Sequence, residues 1–147
     1  WSRGLGDVYK RQHMTGRENT RFIGRINNVR NLKHYEAAVQ EFAELDKRYD
    51  LPVRTYSSGM RARLVFACCI NINFDIYLID EATSVGDPKF RKKAREALEV
   101  KAKEAGLIMV SHEIDQIREF CKSAILIDNG QLTYYSDLEE AIKIYME

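Results

Sequence analysis

The sequence predicts an α/β fold in which a helical insertion precedes a parallel sheet. Two runs of consecutive apolar residues, 76–79 and 107–110, have the length and density of strands that are covered on both faces. A charged segment with helical spacing over 88–103 separates them, as a crossover between parallel strands requires. Three helical patterns precede the first run, so we expect the helices to come first.

Capping and turn signals place the individual elements. Thr15 and Glu18 have the spacing of a capping box, which predicts a helix over about 15–28. A second amphipathic pattern covers about 35–45, and Ser57 is a good N-cap for a third helix that runs to about 70. The second half is expected to contain a strand ending at Asp80, a helix over 88–103, a strand over 107–110, a helix over 114–120, a hairpin with strands 124–127 and 132–135 around Asn129-Gly130, and a last helix that Asp137 caps and that ends near Tyr145. The order strand-helix-strand-helix-strand over 76–127 indicates a parallel sheet.

Length and composition describe an ordinary globular domain. The chain has 147 residues, 45% of them hydrophobic and 31% charged, which is enough for one domain with a core. A net charge of +1 gives no bulk electrostatic reason to expect nucleic acid or an anionic membrane as a partner. Cys68, Cys69 and Cys121 are odd in number and lack metal-ligand spacing, so they suit core positions in a reducing compartment.

The first predicted strand ends in two adjacent carboxylates, Asp80 and Glu81. Ligands of parallel α/β sheets collect at the carboxyl ends of the strands. One acid suits a magnesium ion, and the next suits the polarisation of an attacking water. The alternative is a strand that ends in a solvated acidic turn, and the pair alone does not decide between the two.

Three more short segments line up with the carboxylate pair, and the first of them favours a phosphate ligand. Ser57-Ser58-Gly59-Met60 opens a helix with small residues, so that backbone N–H groups and the helix dipole can approach a phosphate. Asp87 follows the carboxylate pair, and His112 follows the second strand. Each has a structural alternative: Ser57 as a helix cap, Asp87 as a helix start, His112 as a turn residue, and Arg61 with Arg63 as a solvated helix face.

The order and spacing of these segments resemble the ATP-binding subunit of ABC transporters from the signature motif onward. Ser57-Ser58-Gly59-Met60 matches the signature, Asp80-Glu81 the end of Walker B, Ser84–Asp87 the D-loop, and His112 the switch histidine. The segments 15–19, 21–23, 55–61 and 82–87 are similar to those of exporters of capsular polysaccharide and O-antigen. That group carries Ser-Ser-Gly-Met in place of Ser-Gly-Gly-Gln and favours Gly-Asp in the D-loop.

The resemblance implies ATP and Mg²⁺ as cofactors and a role for each matching residue. Asp80 would help to hold magnesium through its water shell, Glu81 would orient and deprotonate the attacking water, and His112 would contact the γ-phosphate. The signature residues would bind the nucleotide held by a partner subunit, and Asp87 would communicate across the dimer. These cofactor-contacting residues are Ser57, Ser58, Gly59, Met60 and Asp87.

The same resemblance implies the partners and the place of action. A second copy would form a head-to-tail dimer, an integral-membrane permease would be driven through a docking region at about 15–51, and nucleic acid is not expected. The protein would lie at the cytoplasmic face of the bacterial inner membrane. Two rival hypotheses are a soluble ABC-type ATPase of DNA repair or translation and a non-catalytic interaction module. The exported glycan cannot be read from the chain.

The chain departs from the family pattern at its beginning. Residues 2–12 resemble one reading frame of a translated sequencing adapter, so we expect a non-native leader over 1–12 and a natural sequence over 13–147. Within the latter, about 15–56 is expected to be a helical subdomain and 57–147 to carry the remaining motifs. No Gly-x-x-x-x-Gly-Lys-Ser/Thr loop occurs, and the Q-loop glutamine is absent. We therefore predict that the chain by itself neither binds nor hydrolyses ATP detectably.

Overall fold

The computed structural model describes residues 13–80 and 87–146. Helices come first, as the sequence predicts, and the strands follow. In chain order the described elements are α1 (Gly16–Ile26), α2 (Leu32–Ala43), the 3-10 helices Asp46–Asp50 and Val53–Thr55, α3 (Ser58–Ile70), β1 (Ile76–Asp80), α4 (Pro88–Glu104), β2 (Gly106–Val110), α5 (Ile114–Phe120), β3 (Ala124–Asp128), β4 (Gln131–Tyr135) and α6 (Leu138–Tyr145). None of the helices in these two ranges is both long and apolar enough to cross a membrane.

The helices begin where side-chain caps satisfy their first amide groups. Thr15 and Glu18 form the expected capping box, in which the Thr15 amide donates to Glu18 Oε2 at 2.8 Å. Helix α2 begins three residues earlier than expected because the side chain of Asn31 accepts from the His34 amide at 3.0 Å. It ends at Ala43 because Glu44 adopts a left-handed conformation with φ 50°. Local side-chain chemistry thus sets the helix boundaries.

The three long helices of the first half pack around one core with its polar groups satisfied. The Tyr49 hydroxyl donates to Thr20 Oγ1 at 2.8 Å, and the Tyr35 hydroxyl donates to the Cys68 carbonyl at 2.8 Å. Gly16 allows the closest approach, since a Cβ there would lie 2.4 Å from the Tyr56 hydroxyl oxygen. The buried residues of this core are Ile23, Tyr35, Val39, Ala43, Leu45, Tyr49, Val53, Tyr56, Leu64, Val65, Ala67, Cys68 and Ile72.

Helix α4 connects β1 to β2 and covers one face of a two-stranded parallel sheet. The register runs from Ile76 opposite Gly106 to Asp80 opposite Val110. Helix α3 also faces this second core, so it contributes to both clusters. The buried residues here are Phe66, Ile70, Ile79, Phe90, Ala94 and Leu98.

The expectation that β1 is covered on both faces is wrong for the described part of the chain. Tyr77 and Ile79 are buried, but the alternate residues Ile76 and Leu78 are 58% and 49% exposed. On β2, Ile108 and Val110 are likewise more than half exposed. Apolar side chains occupy both sides of the strand, so the sequence hides the period-two alternation that burial on one face produces.

The third expected strand also differs from the prediction of a continuous parallel sheet. Strand β3 pairs antiparallel with β4 in a separate sheet, and within the described ranges no ladder joins it to β2. Asn129 and Gly130 form the predicted two-residue turn, with φ 48° and 77°. Helix α6 packs on the hairpin, while the side chains of Ile125, Ile127, Leu132 and Tyr134 are exposed. Strand β4, which the short turn joins to β3, provides hydrogen-bond partners for the backbone of β3.

Candidate functional site

The parallel register brings Asp80 and His112 to the same edge of the β1–β2 sheet. Asp80 ends β1 opposite Val110, which ends β2, and His112 follows two residues later. Both side chains are exposed. A turn forms after β2, where Ser111 Oγ accepts from the Glu113 amide at 3.0 Å. The structure therefore places one predicted carboxylate and the predicted imidazole at the ends of adjacent strands. Glu81 and Ser84–Gly86 lie outside the described residues.

The predicted signature forms the first turn of α3. Ser57 is the N-cap, and its Oγ accepts from the Met60 amide at 3.2 Å. The first amide groups of an α-helix have no intrahelical acceptor, so those of Ser58 and Gly59 are available to a ligand. No atom of the described residues lies within 4 Å of the place where a Gly59 Cβ would stand. The capping role of Ser57 and an anion-binding role for this turn are therefore compatible.

Asp87 connects the signature helix to the helix that follows the predicted D-loop. One carboxylate oxygen accepts from the Phe90 amide at 3.0 Å and so caps α4, while the other forms an ion pair with Arg63 on α3. The Arg63 guanidinium also lies 5.0 Å from the centre of the Phe90 ring. Arg63 therefore does not lie on a solvated helix face, which was the alternative that the sequence left open. Nothing in its spacing from Asp87, 24 residues along the chain, predicts the pair.

An open cleft of about 950 Å³ joins the signature to residues that the sequence analysis missed. One wall is the turn that precedes the signature, and the other contains Arg63 and Asp87. Arg48 contacts the signature directly, since its Nη1 donates to the Met60 Sδ at 3.5 Å. No motif marks Arg48, because a 3-10 helix folds it back toward a residue twelve positions away. The lining residues are Glu44–Arg48, Ser57–Met60, Arg63 and Asp87.

A charged network fixes the turn that carries Arg48. Arg17 binds Asp50 through Nε at 2.6 Å and Nη2 at 3.2 Å, and it also pairs with Glu36. The Arg17 guanidinium lies 5.0 Å from the centre of the Tyr49 ring. Hydrogen bonds from Arg17 lower the pKa of Asp50. Burial would raise the pKa of Glu36, but hydrogen bonds from Arg21 and Arg17 outweigh it and lower that pKa.

At the sheet edge, the described residues offer a magnesium ion one carboxylate ligand, that of Asp80. Within 13–80 and 87–146 no group of three His, Cys, Asp or Glu side chains could hold a metal. Asp80 alone suits Mg²⁺, because this ion keeps several waters and takes its other ligands from one or two carboxylates and from phosphates. The cysteines suit neither metal binding nor thiol chemistry, since burial raises the pKa of the Cys68 thiol to about 12 and that of Cys69 to about 11.

Comparison with solved structures supports the fold. The chain superposes with a TM-score of 0.76 on a structure described as the ATP-binding subunit of an ABC transporter, covering 92% of this chain and 57% of that one. The sequence identity is 22%, so this likeness concerns the fold alone. It confirms the predicted α/β fold, which corresponds to part of that subunit. No family model matches the chain.

Curated relatives identify the family. The polysialic acid transport ATP-binding protein KpsT of Escherichia coli is 42% identical over 147 residues, which cover 99% of this chain and 67% of that protein. The capsule polysaccharide export ATP-binding protein CtrD of Neisseria meningitidis serogroup B is 39% identical over 132 residues, covering 90% of this chain and 61% of that protein. The chain spans about two thirds of the length of these relatives or slightly less. It belongs to the ATP-binding proteins of ABC transporters, in the group whose members are named for capsular polysaccharide export.

Proposed function

We propose that the whole protein is the ATP-hydrolysing subunit of an ABC exporter that powers export of a polysaccharide of capsule or O-antigen type. Its relatives are named for transport of polysialic acid and of capsule polysaccharide. The observation that carries the chemical part is the strand register, because it brings Asp80 and the segment of His112 to one sheet edge. Ligands of parallel sheets bind at that edge.

Asp80, Glu81 and His112 divide the hydrolytic work in this proposal. Asp80 would hold magnesium through its water shell, and the ion would supply positive charge beside the phosphates. Glu81 orients the attacking water and accepts its proton, and His112 donates a hydrogen bond to the γ-phosphate. Phosphoryl transfer depends mainly on positioning and charge neutralisation, and these three side chains would contribute to both.

The signature acts on a second nucleotide, which a partner copy holds. The cleft is lined by Ser57–Met60 and Asp87 but, among the described residues, by neither Asp80 nor His112. One copy therefore presents two half-sites, and a head-to-tail dimer completes each of them. Asp87 transmits movement of the signature helix to the D-loop, because its carboxylate binds Arg63 of α3 and caps α4.

The exposed apolar face of the β1–β2 sheet supports the proposal that the whole protein contains a larger domain. Ile76, Leu78, Ile108 and Val110 are all about half exposed or more. We propose that further parts of the whole protein cover this face and supply the phosphate-binding loop, so that the 147-residue chain alone is inactive. Residues 1–12 are proposed to be foreign to the natural protein.

Partners and location follow from the same proposal. The helical segment 15–51 docks on an integral-membrane permease, which closure of the ATPase dimer drives. The subunit is then peripheral at the cytoplasmic face of the inner membrane. Co-purification of the whole protein with a permease supports this proposal, whereas co-purification with DNA or ribosomes instead supports a soluble ATPase of DNA repair or translation.

The test of catalysis is the Glu81→Gln variant of the whole protein. We expect it to abolish ATP hydrolysis and to leave ATP binding intact, because the amide keeps the shape of the side chain but accepts no proton. Phosphate release and equilibrium ATP binding are measured side by side. Unchanged turnover would remove Glu81 from its proposed role.

A further inference from the structure

We propose that Arg48 is a further nucleotide-binding residue, whose guanidinium contacts the phosphate chain of the ATP that the partner copy holds against the signature. The inference rests on the proposed function, because that function places a nucleotide in the signature cleft. It adds a residue that precedes the signature by nine positions and that belongs to no motif recognised in the sequence.

The backbone of Arg48 is held firmly while its side chain is exposed. The Tyr56 hydroxyl donates to the Arg48 carbonyl at 2.7 Å, which joins this turn to the residue before the signature. Tyr49, the next residue, is fully buried, and Asp50 is bound by Arg17. Arg48 itself is exposed in the cleft. A fixed main chain with an exposed cationic head is the arrangement that suits capture of a ligand.

Among the residues that the structure describes, no carboxylate takes up the donors of Arg48, in contrast to Arg63, the other arginine of the cleft. Arg63 is paired with Asp87, and the carboxylate of Glu44 is bound by Lys93 at 2.8 Å. The contact of Arg48 with the Met60 Sδ, at 3.5 Å, is with a weak acceptor. A guanidinium offers five N–H donors and binds phosphate oxygens in a bidentate manner far more strongly than it binds a thioether.

The position of Arg48 matches the place where the phosphates are expected. Its guanidinium touches Met60, whose amide lies in the first turn of α3 beside those of Ser58 and Gly59. The Met60 amide donates to Ser57 Oγ, but the amides of Ser58 and Gly59 and the α3 dipole attract an anion to the N-terminus of the helix. The cleft volume of about 950 Å³ is of the size that cofactor sites have. An anion at the N-terminus of α3 would therefore be separated from the Arg48 guanidinium by no more than the length of the Met60 side chain.

The experiment measures ATP-dependent dimerisation of the whole protein in the Glu81→Gln background, where the nucleotide sandwich accumulates. Light scattering after size exclusion gives the ATP concentration for half-maximal dimer. We expect Arg48→Gln to raise this concentration about tenfold, as loss of a charge-assisted phosphate contact does, and Arg48→Lys to raise it less. The matched control is Arg54→Gln, an exposed arginine outside the cleft, which should leave the value unchanged.

A second comparison separates phosphate contact from positioning of Met60. Met60→Leu keeps the bulk of the side chain but removes the sulfur that accepts from Arg48. If Arg48 contacts phosphate, Arg48→Gln still raises the required ATP concentration about tenfold when it is added to Met60→Leu. The inference is overturned if Arg48→Gln behaves as Arg54→Gln does, or if it has no effect once Met60 is Leu. If the parent with Arg48 intact does not dimerise with ATP, the proposed function itself fails, and this inference fails with it.

Discussion

The helical region, residues 13–72, buries its own core, whereas each of the two sheets leaves an apolar face exposed. In the helical region the buried hydroxyl groups of Tyr35 and Tyr49 have acceptors, and Arg17 connects α1, α2 and the turn before the signature. In the sheets, Leu78 of β1 and Ile127 of β3 remain exposed. The helices therefore carry their own tertiary determinants, whereas the sheets present apolar faces that nothing in the described part of the chain covers.

The largest expected effect comes from deleting core volume in the helical region. Leu64 is fully buried, so Leu64→Ala should lower the free energy of unfolding of the 147-residue chain by about 3 kcal/mol. Leu78→Ala, the same substitution on the exposed sheet face, should cost less than about 1 kcal/mol. Urea denaturation measures both. In the whole protein the cost of Leu78→Ala should rise toward that of Leu64→Ala, and an unchanged small cost would show that nothing covers the face.

The next effect compares two glycines in the first turns of two helices. Gly16→Ala should cost about 1–2 kcal/mol, because its Cβ would lie 2.4 Å from the Tyr56 hydroxyl and 2.9 Å from the Tyr49 carbonyl. Gly59→Ala meets open space, so it should change stability by only a few tenths of a kcal/mol. Thermal unfolding measures the difference. In the whole protein, however, Gly59→Ala should weaken ATP-dependent dimerisation, because its methyl group enters the nucleotide cleft.

A smaller effect tests the connection between the two regions at Asp87. Asp87→Ala should cost about 1 kcal/mol, since it removes both the cap of α4 and the ion pair with Arg63. Asp87→Asn keeps a capping oxygen and should cost only a few tenths of a kcal/mol. Urea unfolding of these variants with and without Arg63→Gln gives the coupling energy. A coupling of zero would mean that the pair adds no stability.

The smallest effect is the pH dependence of the helical region. Folding lowers the pKa of Asp50 through hydrogen bonds from Arg17, and it lowers the pKa of Glu36, where hydrogen bonds from Arg21 and Arg17 outweigh burial. A lowered folded-state pKa adds stability above the ordinary values of 3.8 and 4.5, and this stability is lost as the pH falls through the folded-state values. The melting temperature should therefore decrease as the pH is lowered below about 4.5.

Two arginine variants make that pH experiment specific. Arg17→Met should reduce the decline of the melting temperature, because it removes the arginine partner of Asp50 and one of the two arginine partners of Glu36 while keeping much of the aliphatic side chain. Arg54→Met, at an exposed position outside the network, should leave the decline as it is. An equal decline in both variants would assign the acid sensitivity to other carboxylates.

The features that the sequence predicted well are those set by near neighbours. The capping box at Thr15, the cap at Ser57 and the Asn129-Gly130 turn all depend on residues within three positions, and the structure contains each of them. The features that it missed depend on distant segments. Strand β3 pairs away from the parallel sheet, and one face of β1 is exposed, although the apolar run indicated cover on both sides.

The candidate site likewise contains features that the sequence indicated and features that depend on distant segments. The register places Asp80 and the segment of His112 at one sheet edge, while their roles and that of Glu81 stay predictions. The ion pair of Asp87 with Arg63 and the contact of Arg48 with Met60 join segments 24 and 12 residues apart. Spacing along one sequence cannot indicate such pairs, because tertiary packing decides which long side chains meet.

Helix α3 belongs to two hydrophobic clusters at once. Leu64, Val65, Ala67 and Cys68 face the first core, while Phe66 and Ile70 face the second. Rotation of this helix about its own axis would expose apolar groups of both clusters to water, which is unfavourable. A change in the orientation of the signature therefore requires tilting or translation of the whole of α3, together with the two clusters that pack on it.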